Sequence, residues 1–199
     1  HPNYLSFIPT APTELSTMFD LVVSASSIYG GSWKEGAGAV FAENQVLSFL
    51  ASECGLPESS GGLFVQGGTL GNLSALVTAR EKTKAKIGKK HWAIICSSEA
   101  HSSIKAVAKV MDCEVVIAKA GESGSLGKAA AAAAVQEAKA QGLTPFAIVG
   151  TAGTTNFGIV DDLSGISEVA KEHDLWFHVD GAYGLAGILA PGLKHLYRG

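Results

Sequence analysis

Short β-branched runs alternate with longer helical segments from about residue 60 to the end of the chain, and this alternation constrains the fold more than any other feature. Helical segments are predicted at about 70–87, 101–111, 126–141 and 163–173. The apolar runs are LFVQ (63–66), WAIICS (92–97), EVVIAK (114–119), FAIVGT (146–151) and LWFHVD (175–180). Crossovers of helical length join parallel strands. The sequence therefore predicts an α/β fold, a mostly parallel sheet with helices on both faces.

The first 55 residues have a different character. They are predicted to form an N-terminal arm with two helical stretches, separated by the glycine-rich segment SIYGGSWKEGAGAV (27–40), whose glycines are expected to interrupt any regular element. Residues 56–199 are predicted to form the α/β domain. Within it, the alanine-rich run 128–142 predicts a surface helix that stops at Gly142.

Composition excludes several classes of partner. The 199 residues are 47% hydrophobic and carry a net charge of -3, so the chain can bury a substantial core and offers no basic stripe for nucleic acid or an anionic membrane. It has no apolar run of ~18–20 residues and no secretory signal pattern, so a cytoplasmic protein is expected. Cys54, Cys96 and Cys113 do not form a metal or redox motif and are expected to be small buried hydrophobes, and no metal site is predicted.

The segment FVQGGTLGNLSALVTAR (64–80) is predicted to pass from a strand through glycines and Thr69 into a helix. Unpaired backbone N–H groups and the positive end of the helix dipole suit a phosphate at such a turn. The segment lacks the lysine of the NTPase phosphate loop and the full dinucleotide-binding pattern. A tight turn with no ligand is the alternative interpretation.

The segment CSSEAHSSIKAVAKV (96–110) places His101 just after a predicted strand. Ligands of open α/β folds bind at this carboxyl edge of the sheet, so His101 is a candidate site residue. In the alternative interpretation, Ser98 or Ser102 caps the following helix and His101 is merely exposed.

The segment FAIVGTAGTTNFGIVDD (146–162) leaves a third predicted strand through small and hydroxylated residues. Thr154 and Thr155, beside Gly153, are candidate hydrogen-bond donors at the same edge. Threonines of this kind are also common turn formers, which is the alternative here.

The run LWFHVDGAYG (175–184) is almost continuously apolar, as a central parallel strand should be, yet the strand ends on Asp180. A buried carboxylate needs a partner. A cationic ring nitrogen is one, and an acid in this position keeps the pyridine ring of pyridoxal phosphate protonated as an electron sink. Gly181 and Ala182 would let a flat ring approach; a helix cap or a metal ligand is the alternative role for Asp180.

These motifs, in this order and together with HPNYLSFIPTAPT (1–13), resemble the group II pyridoxal-phosphate-dependent amino acid decarboxylases, which include the aromatic-L-amino-acid, tyrosine and glutamate decarboxylases. The resemblance implies the large domain of fold type I, the fold of the pyridoxal-phosphate-dependent transferases. It also implies pyridoxal 5'-phosphate as cofactor and decarboxylation of an L-amino acid to the amine and CO2. Aromatic amino acids are the first expectation for the substrate, and acidic ones the next.

Individual roles follow from the same resemblance. Gly68, Thr69 and Leu70 match the turn that takes the cofactor phosphate, and His101 matches the imidazole that stacks on the cofactor ring and assists protonation. The remaining matches are Thr155 with a threonine beside the cofactor, Asp180 with the partner of the pyridine nitrogen, Ala182 with a small residue against the ring, and Thr10 with a substrate-side position at the entrance. His101 and Asp180 are the expected catalytic residues.

The resemblance also implies a partner and a missing part. Residues 30–33 match a segment that approaches the partner subunit's active site, so a homodimer is expected. The family binds its cofactor through the lysine of a His-Lys pair, which follows the strand of the HVDGAYG motif (178–184) after another helix and turn. Lys194 precedes His195 in the reverse order and too early, so this chain is expected to be a central fragment that lacks the lysine, the N-terminal helices and the small domain. The alternatives are another fold type I lyase or a desulfurase, or a non-catalytic scaffold.

Overall fold

The computed structural model describes residues 11–199, and its contacts divide the chain into two units between Leu63 and Phe64. In the first unit, α1 spans Glu14–Ser26 and α2 spans Trp33–Glu53. Thr13 caps α1, because its Oγ1 accepts the backbone N–H of Ser16 at 3.1 Å. Both predicted helical stretches of the arm are therefore present.

The glycine-rich segment interrupts the second helix at Gly36, as the sequence predicts, although α2 begins inside the segment with Ser32 as its cap. At Gly36 the backbone leaves helical geometry (φ -126°, ψ 36°), and two helical pieces meet there at a kink. Gly36 is buried, and a Cβ there would overlap the backbone carbonyl oxygen of Tyr29. Glycine at position 36 thus permits a close backbone approach within the unit, and helical geometry resumes beyond the kink.

The second unit contains a four-stranded, entirely parallel sheet in the order β2-β1-β3-β4. The strands are β1 Trp92–Ser97, β2 Glu114–Ala118, β3 Thr144–Thr151 and β4 Trp176–Asp180, and the helices are α3 Gly68–Ile87, α4 Ser103–Val110, α5 Lys128–Ala140 and α6 Leu163–Glu172. Two short 3-10 helices follow β4, at Gly184–Leu189 and Lys194–Tyr197. The predicted α/β class is confirmed, with four of the five predicted strands.

The fifth predicted strand, LFVQ (63–66), is not formed. These residues have no regular structure, and the backbone N–H of Gly67 bonds the carbonyl oxygen of Val65 at 2.9 Å in a tight turn. Leu63 and Phe64 are more than half exposed. An apolar composition favours a strand only where a neighbouring strand can pair with it.

The core lies on both faces of the sheet. On one face α5 and α6 pack against it with side chains such as Val135 and Ile166, and on the other α3 and α4 pack with Leu76 and Ile104. One face of the alanine-rich helix α5 is buried in the first of these clusters, so it is a packed element as well as a surface one. Within residues 11–199, no helix combines the length and apolar character needed to cross a membrane.

Candidate active site

Because all four strands are parallel, their carboxyl ends lie at one edge of the sheet. His101 follows β1, Thr154 and Thr155 follow β3, and Asp180 is the last residue of β4. This edge is where ligands of open α/β sheets bind. The three strand ends singled out from the sequence therefore share one side of the unit.

Asp180 is buried, with 9% of its surface exposed, and it has partners for both carboxylate oxygens. Asn72 donates from Nδ2 to Oδ2 at 3.0 Å, and the backbone N–H of Ala182 donates to Oδ1 at 3.2 Å. The carbonyl oxygen of Asp180 accepts from the N–H of Ala152 at 2.8 Å, which ties the ends of β3 and β4 together. The carboxylate is thus fixed at the sheet edge by hydrogen bonds that compensate its burial.

Asn72 was not identified from the sequence, yet its side chain has three hydrogen-bond partners. It is buried in the second turn of α3 and also donates from Nδ2 to Oγ of Ser103 at 3.0 Å. Its Oδ1 lies 2.8 Å from Nε2 of His178. The one available signal was an asparagine inside a helix, where this residue is disfavoured unless its side chain has a specific partner.

His101 bonds the start of α4, a capping role that the alternative interpretation of the sequence gives to Ser98 or Ser102. Its Nδ1 accepts the backbone N–H of Ser103 at 3.2 Å and lies 2.9 Å from Oγ of the same residue. Ser102 stands at the N-cap of α4 without a side-chain capping bond, and the N–H of Glu99 bonds Ser97. The histidine itself therefore satisfies a free N–H at the start of α4, while its side chain stays exposed.

His178, on β4, contacts the oxygen of the Asn72 amide, whereas Asp180 and Ser103 contact its nitrogen. Burial lowers the pKa of its imidazole below the ordinary value of 6.5, and the negative charge of Asp180 opposes that shift. Desolvation disfavours the charged ring, so His178 is held as a neutral imidazole near neutral pH.

The first turn of α3 begins at the glycines. Gly67 is the N-cap with φ +94°, a backbone conformation that favours glycine, and no side chain caps the helix. Gly68, Thr69 and Leu70 form the exposed first turn. A Cβ on Gly68 would lie only 3.3 Å from Cβ of Ala182, so the helix start approaches the turn that follows Asp180.

The loop after β3 is shaped by close backbone contact. A Cβ on Gly153 (φ +99°) would lie 2.6 Å from Cα of Gly184, so this loop also approaches the turn after β4. Thr154 is buried, and its Oγ1 accepts the N–H of Ile159 at 3.2 Å, which makes it a turn-forming residue. Thr155 is exposed in the same turn, while Thr10 lies outside the described residues.

The donor set fits a phosphorylated aromatic cofactor. The uncapped start of a 20-residue helix offers N–H groups and a positive dipole end to an anion, and the buried Asp180 offers an acceptor to a protonated ring nitrogen. The helix start approaches the turn after Asp180 at two small residues, Gly68 and Ala182. Lys194 lies in the last 3-10 helix with its side chain exposed.

Comparisons with known proteins show the family of the chain. Residues 1–199 match the family model described as "Pyridoxal-dependent decarboxylase conserved domain". The chain is 31% identical over 193 residues to an aromatic-L-amino-acid decarboxylase of Bacillus atrophaeus, covering 96% of this chain and 40% of that protein. It is 32% identical over 209 residues to an L-2,4-diaminobutyrate decarboxylase of Rhizobium meliloti (strain 1021), covering 99% and 41%.

A solved structure shows the same family relationship at the level of the fold. The crystal structure of the glutamate decarboxylase domain of a Vibrio parahaemolyticus protein, diaminobutyrate-pyruvate transaminase and L-2,4-diaminobutyrate decarboxylase, superposes with a TM-score of 0.92 and 33% identity over 98% of this chain and 46% of that one. The expected fold type I domain is therefore confirmed, and the chain spans about two fifths of the length of these curated relatives. By sequence and by fold, the chain belongs to the family of pyridoxal-dependent decarboxylases.

Proposed function

We propose that the protein carrying this chain uses pyridoxal 5'-phosphate to decarboxylate an L-amino acid, which yields the corresponding amine and CO2. The observation that carries the proposal is the position of Asp180. It is a buried, hydrogen-bonded carboxylate at the carboxyl edge of a parallel sheet, with the uncapped start of α3 close to Ala182, two residues further along the chain. Membership of the family supports the same activity.

The first turn of α3 is proposed to bind the cofactor phosphate. Gly68, Thr69 and Leu70 would present backbone N–H groups, and Thr69 would add its hydroxyl group. Side chains larger than those of Gly68 and Ala182 would fill the space between this turn and the turn after β4, because even a Cβ at position 68 would lie 3.3 Å from Cβ of Ala182. This close approach supports a role for small residues at both positions.

Asp180 and His101 are proposed to be the catalytic residues. When bound, pyridoxal phosphate supplies the electron sink that accepts the electron pair of the broken carbon–carboxylate bond. Asp180 would keep a proton on the ring nitrogen, with Ala182 and Thr155 beside the ring. His101 would stack on the ring and return a proton to the substrate carbon. Their common position at the sheet edge supports these roles.

The substrate is proposed to be a free amino acid. Aromatic amino acids are our first candidate and acidic ones our second, and the similar proteins include decarboxylases of aromatic amino acids and of L-2,4-diaminobutyrate. Thr10 is proposed to lie on the substrate side of the entrance. The cytoplasm is the proposed location, and the three cysteines are free thiols.

A homodimer is also proposed, with the segment around Trp33 near the active site of the partner subunit. Helix α1 supports it: none of its residues is buried, although large hydrophobic side chains occur along its whole length. Those more than half exposed are Leu15, Met18, Phe19, Leu21, Val22 and Val23. An apolar surface of this kind is typical of a protein interface.

The test uses the full-length protein. Purified protein is titrated with pyridoxal phosphate and followed by visible absorbance, and release of CO2 and the amine is measured with aromatic amino acids, glutamate and L-2,4-diaminobutyrate. Asp180→Asn is expected to bind the cofactor but to lose about 10²-fold or more in turnover, because it removes the charge that keeps the ring nitrogen protonated.

Asp174→Asn is the matched control, since Asp174 pairs with Lys86 at the protein surface. This control should retain wild-type turnover. Cofactor binding without release of CO2 from any of the amino acids, or wild-type turnover in Asp180→Asn, would contradict the proposal. A product that is an aldehyde would contradict simple decarboxylation.

A further inference from the structure

We propose that Asn72 is a positioning residue that, through Ser103, holds His101 in the tautomer with its proton on Nε2 and so links the proton donor to Asp180. The inference rests on the proposed function for its consequence in catalysis, but its geometry is independent of any bound group. Four hydrogen bonds between five side chains carry it: His178, Asn72, Asp180, Ser103 and His101.

Asp180 fixes the orientation of the Asn72 amide. A carboxylate oxygen can only accept a hydrogen bond, so the Asn72 atom 3.0 Å from Oδ2 of Asp180 must be the nitrogen. The opposite orientation would place two acceptor oxygens in contact within a buried site, which is unfavourable. Both hydrogens of Nδ2 are then used, one toward Asp180 and one toward Oγ of Ser103.

The amide orientation fixes His178 in turn. Oδ1 of Asn72 must be the atom that lies 2.8 Å from Nε2 of His178, and an amide oxygen only accepts. His178 therefore carries a hydrogen on Nε2. The buried Asn72 amide is therefore bonded at both its nitrogen and its oxygen, and it cannot reverse without losing these bonds.

The hydrogen bonds of Ser103 determine which ring nitrogen of His101 carries the proton. Its oxygen already accepts from Asn72, so its single hydrogen is available for Nδ1 of His101 at 2.9 Å. The backbone N–H of Ser103 points to the same nitrogen at 3.2 Å. Two donors directed at Nδ1 require a lone pair there, so the proton of neutral His101 lies on Nε2.

The position of the proton on His101 matters for the proposed reaction. Nε2 is the nitrogen of His101 that can deliver a proton to the substrate, because Nδ1 is committed to Ser103. One buried amide therefore orients the carboxylate expected at the ring nitrogen and the imidazole expected above the ring. Asn72 itself contacts neither the substrate nor the reacting atoms in this scheme, so it positions and does not react.

The test measures tautomers directly. Full-length protein labelled with ¹⁵N in its histidine rings is studied by solid-state NMR before pyridoxal phosphate is added, and His101 is assigned by the loss of its signals in His101→Gln. In the wild type, His101 is expected to show an unprotonated Nδ1 and a protonated Nε2, and His178 is expected to show a protonated Nε2. The wild-type measurement needs no variant to fold.

Asn72→Asp tests the role of the amide. The carboxyl group at position 72 would hold a proton toward Oδ2 of Asp180, because two buried carboxylate oxygens in contact do not both carry charge, and its other oxygen would accept the hydroxyl hydrogen of Ser103. Oγ would then present a lone pair to His101, and the unprotonated Nδ1 signal should lose intensity. Gln141→Glu makes the same exchange of amide for carboxylate on an exposed residue at the end of α5 and should leave the signal unchanged.

A protonated Nδ1 on His101 in the wild type would overturn the proposal, as would identical His101 signals in the wild type and Asn72→Asp. Titration of the same wild-type sample with pyridoxal phosphate afterwards tests the proposed function separately. Failure to bind the cofactor with the expected tautomers present would reject the function and leave the hydrogen-bond direction standing.

Discussion

Two buried aspartates in this protein are each bonded by residues of other elements. Asp180 is bonded by Asn72, and Asp161 accepts two backbone N–H groups, from Leu126 and Thr151, both at 2.7 Å. Burial raises the pKa of Asp161, and these two hydrogen bonds oppose the shift. Such residues hold loops and strand ends in place at the edge where the site lies.

His178 should make stability depend on pH. Because burial lowers its pKa, the unfolded chain binds a proton at a higher pH than the folded one does, and the free energy of unfolding falls as the pH drops below 6.5. His178→Gln keeps an N–H donor for Asn72 but cannot titrate. Between about pH 7.5 and about pH 5.5, its urea midpoint should fall less than that of the wild type.

His91→Gln is the control for this measurement, since His91 is exposed at the start of β1. It should follow the wild-type pH dependence. Equal slopes for His178→Gln and the wild type would show that His178 does not carry this effect.

The position of a polar residue at the sheet edge could be predicted from the sequence where a motif marks the end of a strand, but not where the contacts of a residue are distant in the sequence. Asp180 ends an apolar run, which is a local signal. Asn72 is 108 positions from Asp180 and 31 from Ser103, so nothing near it in the sequence shows that it joins them. Asp161 was missed for the same reason.

At the scale of elements, adjacent aspartates should differ in their effect on stability. Asp161 holds the end of β3 and the loop before α5, whereas Asp162 caps α6 by accepting the N–H of Gly165 at 3.0 Å. Asp161→Ala leaves two buried N–H groups unpaired and should cost about 3 kcal/mol, while Asp162→Ala should cost about 1 kcal/mol. Urea unfolding of both variants measures the difference, and equal losses would contradict it.

Helix α2 should tolerate alanine at one glycine and not at another. A Cβ at Gly36 would overlap the backbone of Tyr29, but a Cβ at Gly38 would have nothing within 4 Å. Gly36→Ala should therefore destabilise the first unit by about 1–3 kcal/mol, and Gly38→Ala should leave it unchanged or stabilise it by up to about 1 kcal/mol. Hydrogen exchange of α2 would measure both, and equal protection in the two variants would be evidence against the close approach.

Strands and helices could be predicted from the pattern of apolar residues where burial requires that pattern. The central strands β1 and β3 are apolar because helices cover both faces of the sheet, and their positions follow from that pattern. The edge strands β2 and β4 are only partly buried. The pattern failed at residues 63–66, which are apolar but form no strand. At Gly36 the glycine both breaks the helical geometry of α2 and permits close packing against Tyr29. Composition alone does not distinguish these cases, because both depend on neighbours in space.

At the scale of the whole molecule, the exposed apolar side chains of α1 bear on assembly. Leu21 is 71% exposed in the single chain, and α1 has no buried residue. If a second copy covers this helix, a charge at Leu21 must be desolvated on association without a partner, which costs several kcal/mol. Leu21→Glu should therefore shift the full-length protein from dimer toward monomer in sedimentation velocity.

Val110→Glu is the control that distinguishes loss of the dimer interface from a general effect of an added surface charge on assembly. Val110 is 73% exposed at the end of α4 in the second unit, so the exchange adds the same charge at an equally exposed apolar residue. This variant should sediment as a dimer at concentrations where Leu21→Glu is monomeric. If both variants remain dimeric at low concentration, α1 is not in the interface; if the wild type is monomeric, the homodimer itself is wrong. Because residues 30–33 are proposed to approach the partner's site, loss of the dimer in Leu21→Glu should also lower turnover.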